Sequence, residues 1–125
     1  SKKMNIIEAL TEVRKGKLVS RKSWFDNITL TISSKSDEIV AYNISTTTEI
    51  EYKFTENDIQ ANDWGIKHFK RSLTFVEAFK EVKNGKELRR CLWNDSCYID
   101  KDTILDSLVE EDFLANDWYW RMIER

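Results

Sequence analysis

The sequence lacks proline and contains only three glycines, two cysteines and one histidine among its 125 residues. The glycines lie too far apart in the chain to form a glycine-rich phosphate-binding loop. Two cysteines are too few for a disulfide scaffold, so we expect Cys91 and Cys97 to be free thiols in a reducing cytosol. The single imidazole, at His68, argues against a zinc site and gives little basis for general-base catalysis.

No apolar run approaches the roughly 18 residues that a membrane span requires. Ser1, Lys2 and Lys3 lead directly into a short amphipathic segment, so we expect no signal peptide and a cytoplasmic protein. Twenty Lys and Arg against 22 Asp and Glu give a net charge of −2. This balance argues against a nucleic-acid partner, because phosphate neutralisation needs a surplus of positive charge.

The sequence repeats itself. Residues 8–24 match residues 77–93 at eight of seventeen positions. Residues 56–64 match residues 110–118 at six of nine positions, and both pairs of blocks end on tryptophan. The first half carries about 15 additional residues between its two blocks. The sequence therefore predicts two tandem copies of one module, at 1–70 and 71–125, with the second copy shortened in its middle.

Each module is predicted to open with a helix. The apolar residues with helical spacing are Ile6, Ile7, Leu10 and Val13 in the first module and Phe75, Val76, Phe79 and Val82 in the second. Asn5 with Glu8, and Thr74 with Glu77, have the spacing of a capping box. Gly16 and Gly85 stand where a left-handed residue ends a helix. We expect Leu10, Val13, Phe79 and Val82 to be buried against a sheet.

Several short strands are predicted to follow each helix. The expected strands are 17–22, 28–33, 38–44, 49–54 and 64–69 in the first module and 86–91, 97–99, 103–105 and 118–123 in the second. Thr55 and Asp58 are expected to start a short helix between strands. The predicted fold class is α+β, with each module a small helix packed on an antiparallel sheet.

Catalysis and metal binding find little support in the sequence. Asp100, Asp102 and Asp106 resemble the start of a calcium loop, but Ile104 occupies the third ligand position and no glycine follows. No nucleophile motif lies near His68. We therefore predict no enzyme activity, no cofactor and no metal site.

Tryptophan, arginine and short polar side chains recur together in both modules. Trp24 and Trp93 each follow an arginine by three residues and precede polar residues. Such a set offers a stacking plane, a cation for phosphate and hydrogen bonds to base or ribose edges. The candidate ligand-binding residues are Arg21, Trp24, Asp26, Asn27, Arg90, Trp93 and Asn94. The alternative, which spacing alone favours, is that the two tryptophans fill the core.

The doubled pattern EALxxxxxGKxVxRxxW, followed by DxxAxDW, resembles the second Thoeris anti-defence family of small phage-encoded domains. The first copy carries it as Glu8, Ala9, Leu10, Gly16, Lys17, Val19, Arg21, Trp24, Asp58, Ala61, Asp63 and Trp64. The second copy has Glu77, Ala78, Phe79, Gly85, Lys86, Leu88, Arg90, Trp93, Asn94, Asp112, Ala115, Asp117 and Trp118. The resemblance implies a sponge that binds a cyclic ADP-ribose-type immune signal without cleaving it, in pockets between protomers of an oligomer.

The sequence departs from the family pattern where glycine usually follows Trp-Asn, since Asp26 and Asp95 stand there.

Two functions stay open. The first is sequestration of a small cyclic nucleotide signal, in host cytoplasm if the protein is phage-encoded. The second is a non-enzymatic protein-interaction module that inhibits a host or phage protein. For the first function we place the site at Trp24 and Arg21, because that copy is predicted to have the longer sheet and more Lys and Arg nearby.

Overall fold

A computed structural model of the protein describes residues 3–24, 27–93 and 97–124. The chain divides into two compact units. Unit 1 comprises Ser1–His68 and Ile123–Arg125, and unit 2 comprises Phe69–Met122. Across the described residues the fold is α+β, with seven strands that pair in antiparallel fashion, so the predicted fold class is confirmed.

Unit 1 contains two helices and a sheet. Its elements are α1 (Ile6–Arg14), β1 (Val19–Arg21), β2 (Ile28–Ile32), β3 (Ile39–Asn43), β4 (Thr48–Ile50), α2 (Glu56–Gln60) and the first half of β5 (Trp64–Leu73). The strand order is β4-β3-β2-β1-β5. In the register, Leu30 of β2 lies between Val19 of β1 and Ala41 of β3. All three side chains are fully buried, which places the core of unit 1 on this face of the sheet.

Helix α1 begins and ends where the sequence predicts. The side chain of Asn5 accepts from the Glu8 N–H at 2.9 Å, and Glu8 Oε1 accepts from the Asn5 N–H at 3.2 Å. Gly16 has a φ of 91°, a left-handed conformation that residues with a Cβ rarely adopt. Val13 is fully buried against the sheet, while Leu10 is only partly buried.

Unit 2 carries a helix of the same kind on a smaller set of strands. After β5 come α3 (Phe75–Phe79), a 3₁₀ turn (Val82–Asn84), β6 (Glu87–Arg90), a second 3₁₀ turn (Leu105–Ser107), α4 (Glu110–Leu114) and β7 (Trp118–Ile123). Thr74 and Glu77 form the predicted capping box, and Gly85 is left-handed with a φ of 84°. Leu88 pairs with Trp120 in the β6–β7 ladder and with Ile99 in an isolated bridge.

The prediction that Phe79 is buried is wrong. The α-helix ends at Phe79, the chain continues as a 3₁₀ turn, and the Phe79 side chain is 39% exposed and stacked on Phe75. The core of unit 2 is built instead from Ala78, Val82, Leu88 and other apolar side chains. The buried side of this segment thus runs through Ala78 and Val82, and Phe79 lies at its edge, as Leu10 does beside Ala9 and Val13 in unit 1.

Three predicted strands differ in the structure, and the one at 97–99 is reduced to an isolated bridge at Ile99. The predicted strand at 49–54 ends at Ile50, because Tyr52 and Phe54 leave the ladder and pack on the core of unit 1. The predicted strand at 103–105 is absent from the described residues; a turn at 100–103 precedes the second 3₁₀ turn. No described helix is long and apolar enough to cross a membrane.

Candidate functional site

Arg21 of unit 1 binds two carboxylates brought to it by α2 and β5. Its Nε donates to Asp63 Oδ1 at 2.8 Å, and its Nη1 donates to Asp58 Oδ1 at 3.1 Å. Asp58 lies on α2 because Thr55 caps that helix, and Asp63 immediately precedes β5. The Asp58 side chain is only 3% exposed, so its negative charge depends on the pairing with Arg21.

Burial and hydrogen bonding act in opposite directions on the acids of this cluster. Burial raises the pKa of Asp58, but donors from Thr55, Tyr52 and Arg21 outweigh burial and leave that pKa below its usual value. Burial likewise raises the pKa of Asp63, but the hydrogen bond and charge of the Arg21 guanidinium outweigh burial and leave that pKa below its usual value. The hydrogen bond to Asp63 is the largest cause of a raised Arg21 pKa. All three groups are therefore held in their charged forms.

The same cluster fixes two tryptophans in unit 1. Trp64 is fully buried, and its indole N–H donates to the Asp58 carbonyl at 3.1 Å. Trp24 is half-buried and meets Trp64 edge-on, with ring centroids 5.2 Å apart at 76°. Tyr52 covers another side of Trp24 at 5.5 Å, and its hydroxyl donates to Asp58 Oδ2 at 2.6 Å. Trp24 thus belongs to the core and yet keeps part of its ring in solvent.

Unit 2 contains an arrangement of the same type. Arg90 Nε donates to Asp117 Oδ1 at 2.9 Å, and Arg90 Nη1 donates to Asp112 Oδ1 at 2.9 Å. The Trp118 indole N–H donates to the Asp112 carbonyl at 2.8 Å, and Trp93 meets Trp118 edge-on at 5.1 Å and 76°. The arginine, the two aspartates and the two tryptophans of the unit 1 cluster recur here with the same contacts to one another.

The arginine of the unit 2 cluster is more buried than that of the unit 1 cluster, whereas its acid Asp112 is more exposed than Asp58, at 11% against 3%. The side chain of Arg90 is 7% exposed, against 17% for Arg21. The N–H of Val109 is the leading cause of a lowered pKa at Asp112; burial opposes this shift and Arg90 adds to it. The hydrogen bond to Asp117 is the largest cause of a raised Arg90 pKa.

The structure places the predicted ligand-binding residues unequally. Arg21 and Trp24 meet in the unit 1 cluster, and Arg90 and Trp93 meet in the unit 2 cluster. Asn27 is 1% exposed, and its carbonyl accepts from the Ile44 N–H at 2.9 Å. Asp26 and Asn94 lie outside the described residues. Ligand contact by these seven side chains stays a prediction; among the described ones Arg21, Trp24 and Trp93 are partly exposed, whereas Asn27 and Arg90 are buried.

The basic side chains of unit 1 differ in whether they form ion pairs with Asp or Glu. Arg14 binds Asp37, with a hydrogen bond to the Asp37 carbonyl at 2.6 Å, and Lys15 pairs with Glu12 at 3.6 Å. Among the described residues, Lys22 pairs with no carboxylate. Its backbone N–H donates to the Asp63 carbonyl at 3.0 Å, which holds the Lys22 backbone beside the Arg21 cluster, and its side chain passes beside Gly65.

A cavity of about 550 Å³ lies beside Trp93 in unit 2. Most of its lining is apolar, and Asp112 is the one charged side chain that the described lining contains. The residues around it are Leu92, Trp93, Cys97, Tyr98, Ile99, Thr103, Ile104, Leu105, Ser107, Leu108 and Asp112. Its size falls within the ~300–1,000 Å³ of small-molecule pockets, but without lysine or arginine its walls are unsuited to phosphate.

The single histidine and the acidic turn have structural partners. His68 Nε2 lies 2.7 Å from Glu124 Oε1 at an exposed position. Asp100 Oδ1 accepts from the Asp102 N–H and the Thr103 hydroxyl, which closes a turn. Within the described ranges, no three His, Cys, Asp or Glu side chains form a group that could hold a metal ion.

Sequence reasoning missed the acids that complete both clusters. Asp58 and Asp63 precede Trp64 by six and one residues, and Asp112 and Asp117 precede Trp118 by the same spacing. On sequence alone, Ala-Asn-Asp-Trp at 61–64 and 115–118 is typical of a helix stop followed by a turn. The repetition of both acids at fixed distances from tryptophan, together with a repeated arginine, was the available signal for a paired charge cluster.

The Tad2-like family model, described as the Thoeris anti-defense 2-like domain, matches residues 4–67. This span covers just over half of the chain and includes Arg21, Trp24, Asp58, Asp63 and Trp64. No curated protein matches the sequence significantly. The chain therefore belongs to the Tad2-like family of Thoeris anti-defense 2-like domains, and this membership indicates an anti-defence role.

Proposed function

We propose that the protein disarms a Thoeris-type defence by sequestering its small cyclic nucleotide signal, of the cyclic ADP-ribose type, without cleaving it. The observation that carries the proposal is the family match over 4–67, which contains the whole Arg21 cluster. Binding is assigned to unit 1, with the solvent-facing part of Trp24 stacking on the base. Base–aromatic stacking contributes ~1–3 kcal/mol in single-strand binders, and the same physics applies here.

Arg21 is assigned a positioning role in this proposal. Its guanidinium already donates to Asp58 and Asp63, so a direct phosphate contact would compete with two short ion pairs. By holding both acids, Arg21 keeps α2 and the start of β5 together, and Asp58 in turn holds Trp64 under Trp24. Lys22, which pairs with no acid in the described part of the chain, is the cation we assign to the phosphates.

We further propose that units 1 and 2 are two copies of one module. The support is the recurrence of capping box, left-handed glycine, arginine with two acids, and paired tryptophans in both units. A covalent link between two copies raises the effective concentration of one for the other to the millimolar range. One chain would then take the place of two separate subunits.

Filtration after incubation tests the sequestration directly. The protein is mixed with cyclic ADP-ribose isomers and a panel of cyclic nucleotides, and the free fraction is quantified after ultrafiltration. We expect one cyclic ADP-ribose-type compound to be depleted from the filtrate and recovered intact when the protein is denatured. Recovery of a cleaved product would contradict sequestration, and depletion of no compound would favour the interaction-module function.

Two variants of the proposed site and one surface control test whether binding occurs at Trp24 and Lys22. Trp24→Ala removes the proposed stacking plane, and Lys22→Ala removes the proposed phosphate contact. Ile7→Ala on α1 is the control, since Ile7 is 73% exposed and belongs to neither cluster. Depletion should be weakened by the first two changes and kept by the third, provided that thermal unfolding shows all three variants to be folded.

A further inference from the structure

Exposed apolar side chains concentrate in unit 2. Among the described residues, the large exposed hydrophobics of unit 1 are Ile7, Ile50 and Ile59. Those of unit 2 are Val76, Phe79, Leu92, Tyr98, Ile104, Leu105, Val109, Phe113 and Leu114. Soluble proteins rarely leave such side chains exposed in groups unless something binds there. Unit 2 is the smaller unit, yet among the described residues it has nine large exposed hydrophobic side chains against three in unit 1. This concentration indicates a binding surface on unit 2.

Four of these side chains surround the cavity beside Trp93. Ile104 is 76% exposed, Leu92 66%, Tyr98 39% and Leu105 38%, and all four line the cavity whose wall also includes Trp93. We call these four residues and the cavity the apolar cleft. Its described walls come mainly from the segment 97–108, with Leu92 and Trp93 beside it and Asp112 of α4, and among them Ile99 alone takes part in a strand-type bridge. The cleft thus offers side-chain contacts and hardly any strand edge for an added strand.

The chain around the apolar cleft is strongly acidic. Residues 97–117 contain seven Asp or Glu and a single lysine, Lys101. Asp102, Asp106 and Glu110 are exposed, whereas Asp112 is already bound by Arg90. An apolar cleft with an acidic rim complements an apolar segment with basic flanks, and it repels nucleic acid and anionic lipid surfaces.

We propose that the apolar cleft docks a basic amphipathic helix of a partner protein. Apolar side chains at i, i+3 and i+4 of such a helix would enter the cavity, and its Lys or Arg side chains would face Asp102, Asp106 and Glu110. Amphipathic helices commonly bind in this way to apolar grooves. This docking is independent of the nucleotide site assigned to unit 1, and it adds a protein partner to the sequestering role.

Designed peptides test both the apolar and the charged part of the proposal. The probe is a fluorescein-labelled Leu–Lys peptide of about four helical turns, with leucine on one face. A Leu–Glu peptide of the same pattern reverses the charge, and a scrambled Leu–Lys peptide keeps the charge but loses the apolar face. In anisotropy titrations with the full chain, the Leu–Lys peptide should bind at least about tenfold more tightly than either control, or about 1.4 kcal/mol.

Substitutions at exposed residues test whether the peptide binds at the apolar cleft. Ile104→Ser combined with Leu105→Ser should weaken the Leu–Lys peptide at least about tenfold. Asp102→Asn with Asp106→Asn should weaken it less and should flatten its salt dependence, because exposed charges are screened by salt. Ile59→Ser is the control in unit 1, at a residue 57% exposed, and should leave affinity unchanged.

Three results would overturn the proposal: no binding of the Leu–Lys peptide, equal affinity for the Leu–Lys and Leu–Glu peptides, or unchanged affinity in the Ile104→Ser, Leu105→Ser chain. Circular dichroism confirms that the variant chains are folded, which is expected for exposed positions. Nucleotide depletion by the Ile104→Ser, Leu105→Ser chain should match the parent. Failure of the peptide arm therefore leaves the nucleotide proposal intact, and the reverse also holds.

Discussion

Units 1 and 2 build similar arginine–aspartate–tryptophan clusters, but they differ in what packs beside the first tryptophan. In unit 1, Tyr52 lies 5.5 Å from Trp24, and Phe54 lies 5.2 Å from Tyr52. Extending the repeat of the second block places Asp106 and Leu108 at the positions of Tyr52 and Phe54. Leu108 lines a cavity of about 550 Å³ beside Trp93. Loss of the aromatic pair thus accompanies an open cleft.

The comparison distinguishes the contacts that both clusters share from the residues that differ between the two units. The arginine, its two acids and the indole hydrogen bond occur in both units, because a buried acid needs its cation. The residues that cover the first tryptophan differ between the units, and in unit 1 Tyr52 contributes both packing and a hydrogen bond to Asp58. Variation at those positions converts a filled core edge into an accessible surface, and this is where the functions proposed for the two units diverge.

The largest effect is expected from removing the central arginines. Arg90→Met leaves Asp112 and Asp117 without their cation and should lower the free energy of unfolding by about 3–5 kcal/mol. Arg21→Met should cost less, about 1–3 kcal/mol, because the Asp58 carboxylate keeps the Tyr52 hydroxyl and the Thr55 N–H as donors, whereas that of Asp112 keeps the Val109 N–H. Urea unfolding of the two variants measures the difference. A larger loss for Arg21→Met would contradict this ranking of the two clusters.

Acid should destabilise the unit 1 cluster. The folded-state pKa values of Asp58 and Asp63 lie below the unfolded value of about 3.9, so the unfolded chain binds more protons as the pH falls. Their contribution is complete above about pH 5 and is lost as the pH falls through the folded-state pKa values. Asp58→Asn should therefore reduce the loss of unfolding free energy between neutral and acidic pH. An unchanged pH profile would show that Asp58 is not a main source of acid sensitivity.

The hydrogen bond from the Tyr52 hydroxyl to Asp58 is specific to unit 1, because Asp106 stands at the position of Tyr52 in unit 2. Tyr52→Phe removes a 2.6 Å hydrogen bond to the Asp58 carboxylate and keeps the ring against Trp24. We expect a loss of about 1.5–3 kcal/mol in unfolding free energy, the range for hydrogen bonds to charged groups. Tyr98→Phe is the matched control at a 39% exposed position and should stay close to the parent. Equal midpoints in the two variants would argue that water replaces the Tyr52 hydroxyl without cost.

The smallest effect is expected at the residue that sequence periodicity misplaced. Phe79 is 39% exposed, so Phe79→Ala should cost only about 1 kcal/mol, far less than a core truncation. Leu88→Ala, at a fully buried position, should cost about 2–5 kcal/mol. Thermal unfolding of both variants gives the comparison. Similar shifts in midpoint would mean that Phe79 contributes as much packing as a core residue.

Much of the fold could be predicted because local chemistry determines it. The capping boxes at Asn5 and Thr74, the left-handed Gly16 and Gly85, and the closing strand at 118–123 follow from short-range patterns. The exposure of Phe79 could not be predicted from periodicity, because Phe79 shares the apolar helical spacing while the buried side runs through Ala78 and Val82. The charge clusters were missed because they depend on contacts between residues 37 or more positions apart in unit 1.

The nucleotide proposal is tested most directly by isothermal titration of the depleted cyclic ADP-ribose-type compound into the parent, Trp24→Ala and Trp93→Ala proteins. If unit 1 holds the site, Trp24→Ala should lose about 1–3 kcal/mol of binding free energy. Trp93→Ala should retain the affinity of the parent, with both variants checked for folding by their thermal midpoints. Parent-like affinity in the Trp24→Ala protein would contradict the assignment of the signal-binding site to unit 1.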